Sequence, residues 1–232
     1  MKSIKAIFIK QAKDMFKNPT VFVMFIIFPV VALIMTQVIA KSNDAISNNM
    51  FVTMMAAIFA GMGLVTAVSA VIAEDIERKS LQFLIIAGVK PHQYLIGTGG
   101  FFLLAGMVTS VVFALIGDFS GTETIKFLAI MITGTAASII LGATIGMFSK
   151  NQQAATSLGM PVAVIIGFTP MVAAFDKTVE NFASILYTQQ INVIVNDFSA
   201  SLWKPLLVIA LNIAVLTVLF VFAYRKKRLK NN

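Results

Sequence analysis

The chain has 232 residues, of which 58% are hydrophobic and 12% charged, with a mean hydropathy of +0.89 and a formal charge of +8. Soluble domains run about 45–50% apolar and about 25% charged, so a water-exposed fold would lack the polar groups to cover itself, and lipid must be the solvent for much of this surface. The basic residues sit at the ends of apolar runs instead of forming a soluble patch, which argues against nucleic-acid binding. The absence of cysteine excludes disulfides and thiolate metal sites, and the single histidine, His92, excludes a histidine-rich one.

Residues 1–19 open the chain. Ile4, Ile7, Phe8, Gln11, Ala12 and Met15 fall on one helical face and Lys2, Lys10, Lys13 and Lys17 opposite, the pattern of an interfacial helix with its lysines toward lipid headgroups and cytosol. A plain positively charged flank is the competing reading. Asn18 and Pro19 mark a break before the first apolar run.

Six apolar runs follow, at about 20–40, 51–73, 95–117, 127–148, 155–175 and 205–224, each long enough for roughly 30 Å of hydrocarbon. The first is too long for a cleavable signal and no small-x-small site follows it, so it reads as a retained helix. None contains Asp, Glu, Lys or Arg, each of which would cost about 2.5–3.5 kcal/mol at a helix centre. The expected fold class is all-α: a polytopic membrane protein forming a single transmembrane domain, 1–232. Fourteen of the eighteen Lys and Arg lie in the N-terminal segment, the second and fourth connections and the tail; only Lys41, Lys126, Lys177 and Lys204 lie opposite. That asymmetry predicts a multi-pass cell-membrane protein with both termini cytoplasmic.

The second connection, 74–94, begins with Glu74-Asp75-Ile76-Glu77-Arg78-Lys79 and continues with an apolar half that Gly88 and Pro91 should end. Glu74, Glu77 and Arg78 share a side at i, i+3 and i+4, with Leu81, Leu84 and Ile85 as an apolar strip beyond them. One short amphipathic helix on the cytoplasmic surface is expected, its charged end open to a partner. Further on, Gly134, Ser138, Gly142 and Gly146 recur every four residues, as do Gly159, Ala163 and Gly167, so backbones of other helices approach there, within one subunit or between two. Pro29, Pro161 and Pro170 should bend their spans. The external segment, 176–204, mixes polar and apolar residues and is expected to hold short helices dipping into the outer interface.

The chain resembles the permease subunits of type-2 ABC exporters. The resemblance rests on the amphipathic helix before span one, the six spans, the Glu77-Arg78 pair after span two, a Leu-x-x-Leu-type helix, the Gly88–Pro91 turn and a following span that starts near Tyr94. It departs from the family's frequent Gly-Thr-Leu-Glu, having Lys79-Ser80-Leu81-Gln82 instead. The resemblance implies a cytoplasmic coupling helix between spans two and three that docks on separate ABC ATPase subunits through Glu74, Asp75, Glu77, Arg78, Lys79 and Leu81. It also implies a second permease copy or related permease, with ATP and Mg bound by the ATPase. No Gly-x-x-x-x-Gly-Lys-Ser/Thr occurs, and Gly97, Gly99 and Gly100 are followed by no lysine. A non-catalytic subunit moving an amphipathic or hydrophobic cargo (drug, antimicrobial peptide or lipid) outward is therefore expected. An ATPase-independent transporter and a membrane immunity or assembly protein remain the alternatives. A membrane enzyme is disfavoured because Glu74, Asp75, Glu77 and His92 all sit in one surface connection with no partner in any span.

Overall fold

The structure, a computed structural model, describes residues 2–42, 47 and 49–230. The side chains of Lys2, Arg228 and Lys230, which enter the charge balance above, lie outside the described residues. Every regular element among the described residues is helical. In chain order these are α1 (Lys2–Lys17), α2 (Pro19–Val38), α3 (Met50–Glu77, with a π turn over Phe59–Gly63), α4 (Ser80–Ile86), α5 (Pro91–Ile116), α6 (Gly121–Phe148), α7 (Gln152–Ala173), α8 (Lys177–Ala183), α9 (Tyr187–Asn196) and α10 (Trp203–Lys230). Six of them, α2, α3, α5, α6, α7 and α10, are long and apolar enough to cross a membrane.

Local chemistry sets where these helices begin. Pro19 at the first turn of α2 follows Asn18, whose side chain accepts from Val21 N, and Pro91 follows Lys90, whose N–H the Gln93 side chain accepts at 2.9 Å. Ser120 N donates to Glu123 at the start of α6, and Asn151 accepts from Ala154 N at the start of α7. The proline residues at 29, 161 and 170 lie inside α2 and α7 without ending either helix.

The spans are not equivalent. α3 is enclosed over most of its length, whereas α2, α7 and α10 expose most of theirs. Ile27, Ile34, Ile165, Val215, Val218 and Phe222 stand on those outer faces, where hydrocarbon meets them. The small-residue stripes supply the close approaches around α3. A Cβ on Gly142 would lie 2.7 Å from Val65 O and one on Gly146 2.8 Å from Ile72 Cβ, so this half of the α6 stripe faces α3 within one chain, while Gly134 and Ser138 face Ile191 and Tyr187 of α9. Gly167 of α7 meets Gly61 in the π turn, backbone against backbone.

The segment after α7 holds two short helices, as expected, and is bonded to three spans. The hydroxyls of Tyr187 and Ser138 hydrogen-bond at 3.0 Å, Thr188 Oγ1 donates to Ile166 O at 2.7 Å, and Asn212 Nδ2 donates to Ile185 O at 2.8 Å. Ser138, Ile166 and Asn212 all lie well inside their spans, so the link between α8 and α9 and the start of α9 pack against three spans. Ile185 is exposed although its carbonyl is paired, whereas Tyr187, Thr188, Gln189, Gln190, Ile191, Ile194 and Val195 are all buried, Gln189 Oε1 without a hydrogen-bond partner among the described residues.

A methyl group at Gly61 would sit 2.5 Å from Gly167 Cα, a clash that no side-chain rotation relieves. Gly61→Ala should therefore lower stability by about 1–3 kcal/mol, read as an earlier thermal unfolding transition in detergent. Gly121→Ala, where nothing lies within 4 Å, should leave that transition in place or raise it.

Candidate functional site

The last turn of α3 carries three carboxylates in four residues, and at 100° per residue they point to different neighbours. Asp75 is 3% exposed. Its carboxylate is ion-paired with Lys10 of α1 and accepts from Tyr94 Oη of α5 at 2.8 Å and from Gln11 Nε2 at 3.2 Å. Gln11 also reaches Thr98 Oγ1 at 3.4 Å. Glu74 accepts from Asn18 Nδ2 at 3.1 Å and from Gln152 Nε2 at 2.9 Å, and pairs with Arg78 at 2.7 Å. Glu77 accepts from Gln152 N, at the N-terminus of α7, at 3.1 Å, where the free N–H groups of a helix favour an anion. One helical turn thus ties α1, α5 and α7 to α3.

The amphipathic face of α1 lies against the bundle through Ile7, Gln11 and Met15, all buried. Gly97 of α5 makes room for it, since a Cβ there would be 2.8 Å from Ile7 Cβ. Lys13 and Lys17 are exposed as expected, but Lys10 turns inward instead of reaching a headgroup. A buried carboxylate without a cation costs several kcal/mol, so the nearest ammonium is recruited. Burial pulls the Lys10 ammonium down, but the charge of Asp75 and hydrogen bonds to Asp75 and Asp14 outweigh it and hold the pKa above the usual lysine value.

Beyond Glu77 the chain breaks. Arg78 ends α3, Lys79 adopts a left-handed conformation at φ 60°, and α4 starts at Ser80. The single amphipathic helix expected from Glu74 to Ile85 is therefore two helices in different directions. α4 ends as foreseen at Gly88, where φ is 79° and Val89 N returns to Leu84 O at 3.0 Å. Leu81 and Ile85 pin α4 to the bundle, while Phe83 and Ile86 are 70% and 77% exposed. Tyr224 of α10 donates to Val89 O at 3.0 Å and holds the link into α5.

Of the residues singled out for partner contact, Glu77, Arg78 and Lys79 are exposed, Glu74 is largely enclosed, and Asp75 and Leu81 are buried within the chain. Phe83 and Ile86 had escaped notice because the apolar strip was read toward Leu81 and Ile85. Lys10, Gln11, Tyr94 and Gln152 had escaped as well; Gln11, a polar residue in an apolar stripe, was the one signal of a buried partner. A polar cavity of about 210 Å³ lies beside this hub, lined by Asp14, Lys17, Asn18, Glu74, Arg78 and Gln152 among others. The carboxylates are occupied by hydrogen bonds and ion pairs that tie four helices together.

The family model described as ABC-2 type transporter matches residues 2–189, from the start of α1 to the first turn of α9. No curated protein matches the chain.

Removing Asp75 strands the Gln11 and Tyr94 donors, each worth about 1–3 kcal/mol when left unpaired in the interior. Asp75→Ala should cost about 2–4 kcal/mol, seen as a lower melting temperature and faster proteolysis of α1. Because the Lys10 pKa is raised on folding, its contribution is complete below the ordinary lysine range and is lost as pH rises through the folded value. Stability between pH 6 and about 9 should therefore not vary through this pair; a pH titration of the wild-type melt against Lys10→Met checks it.

Proposed function

The chain belongs to the ABC-2 type transporter family as a permease subunit, and from that premise we propose that it moves an amphipathic or apolar cargo outward, driven by a separate ATPase docked on α4. The supporting observation is the outer face of α4. Phe83 and Ile86 stand exposed beyond the end of α3 while Leu81 and Ile85 anchor the opposite face, and Glu77, Arg78 and Lys79 form a charged rim beside them. Apolar anchors inside a polar rim are the usual composition of an energetic protein contact. The positive-inside balance puts this face and both termini in the cytosol, where an ATPase would meet it.

In this reading, ATP binding draws two motor subunits together, they press on α4 in each of two permeases, and the push enters α3 and α5. The hub around Asp75 then carries it to α1 and α7. An apolar cargo suits the apolar character of the spans and of the cavity between them. The six spans contain no charged residue in their apolar cores. A cavity of about 150 Å³ at the outer end of α3 and α7 is lined by Met54, Met171, Phe175, Asn192 and Asn196 among others, with no ionisable group. Methionine and aromatic walls adapt to varied apolar shapes.

Phe83→Asp with Ile86→Asp should weaken association with the partner ATPase at least tenfold and abolish permease-dependent stimulation of its ATP hydrolysis in nanodiscs, with the melting temperature unchanged. Glu77→Gln with Arg78→Gln should reduce stimulation less. Full stimulation by the Asp pair, or labelling that places Arg78 outside the cell, would defeat the assignment.

A further inference from the structure

The ends of α6 and α10 on the side of α4 enclose a feature that the transport reading leaves unused. Met147, Phe148 and Lys150 from the close of α6, and Ala223, Lys226 and Lys227 from one face of α10, line a cavity of about 140 Å³. Positions 223, 226 and 227 are related by i, i+3 and i+4, so they present together. Met147 and Ala223 are buried and form an apolar floor, and Phe148, 48% exposed, continues that floor onto the outer surface. Lys150 and Lys226 are exposed at the rim. The carbonyl end of α6 would by itself repel an anion, but Lys227 Nζ donates to Ser149 O at 2.9 Å and offsets it. No acidic side chain lines the cavity; Asp14, Glu74, Asp75 and Glu77, the acidic residues described at this end of the molecule, are engaged with α1, α5, α7 and Arg78.

We propose that this cavity holds the phosphate headgroup of an anionic phospholipid from the adjoining leaflet, with the start of an acyl chain along Phe148. The exposed Lys150 and Lys226 ammonium groups at the rim of an apolar floor suit a tethered anion better than a free one. A zwitterionic headgroup would bring its own cation beside Lys150 and Lys226, where no acidic side chain among the described residues lines the cavity to receive it. Occupancy ties α6 to α10, and a ligand held only by the folded chain raises its stability.

The test uses the purified full chain in detergent, given short-chain phosphatidylglycerol, phosphatidylcholine or inorganic phosphate, and read by native mass spectrometry and thermal unfolding. Phosphatidylglycerol adducts should persist and raise the melting temperature, while phosphatidylcholine and inorganic phosphate do neither. Lys150→Gln with Lys226→Gln should lower phosphatidylglycerol retention roughly tenfold or more, the corresponding arginine pair should restore it, and Lys13→Gln with Lys17→Gln, which removes two exposed lysines of α1, should stay within about twofold of wild type. Equal loss in both glutamine pairs would mean diffuse attraction and overturns the site, as would inorganic phosphate matching the lipid or equal retention of phosphatidylcholine. Loss of ATPase association with lipid retention intact in the Lys150/Lys226 pair would assign the lysines to a protein partner and also overturns it. Because retention is read without the ATPase, it fails or succeeds independently of the docking on α4.

Discussion

A carboxylate buried at the end of the most enclosed span organises one whole face of this molecule. A carboxylate buried there needs partners that replace the water it has lost. Its compensation comes from three places, the Lys10 ammonium, the Gln11 amide and the Tyr94 hydroxyl. Those three groups belong to two other helices, so satisfying one charge fixes the position of α1 and the start of α5 relative to α3. Glu74 and Glu77 extend the same logic to α7 through both the side chain and the backbone of Gln152. The result is a stiff collar directly above the short helix on which a motor subunit is proposed to act.

Packing around α3 makes that stiffness useful. Association of helices in lipid depends on close contact, since hydrocarbon is as apolar as a leucine side chain. Gly142 and Gly146 let α6 touch the backbone of α3, and Gly167 lets α7 touch its π turn. The outward spans, α2, α7 and α10, carry large apolar side chains that face lipid. α3 is thus held mainly by protein, and its outward neighbours meet the lipid.

The six spans were legible because uninterrupted apolar runs of that length have one physical interpretation. Their ends were less so: α3 continues through Glu74-Asp75-Ile76-Glu77 because those residues favour helix and find partners there, although hydrophobicity stops at Ala73. Gly88 and Pro91 announced the end of α4, but nothing in Lys79, neither glycine nor proline, announces a left-handed residue. Lys10 read as solvent-facing because a helical wheel has no knowledge of a carboxylate 65 positions away. Asn212 ties α10 to the link after α8 through Ile185 O, a contact 27 positions apart that no local pattern announces.

The π turn at Phe59–Gly63 has a bearing on that collar. A π turn accommodates one more residue than an α-helix would, so everything downstream is rotated by about 100° from the azimuth of an uninterrupted helix. The outer half of α3 and its carboxylate end are therefore out of phase by design of this single insertion. Deleting one residue from the turn would keep the span hydrophobic and long enough to cross the bilayer, yet swing Asp75 away from Lys10 and Tyr94 toward another quadrant.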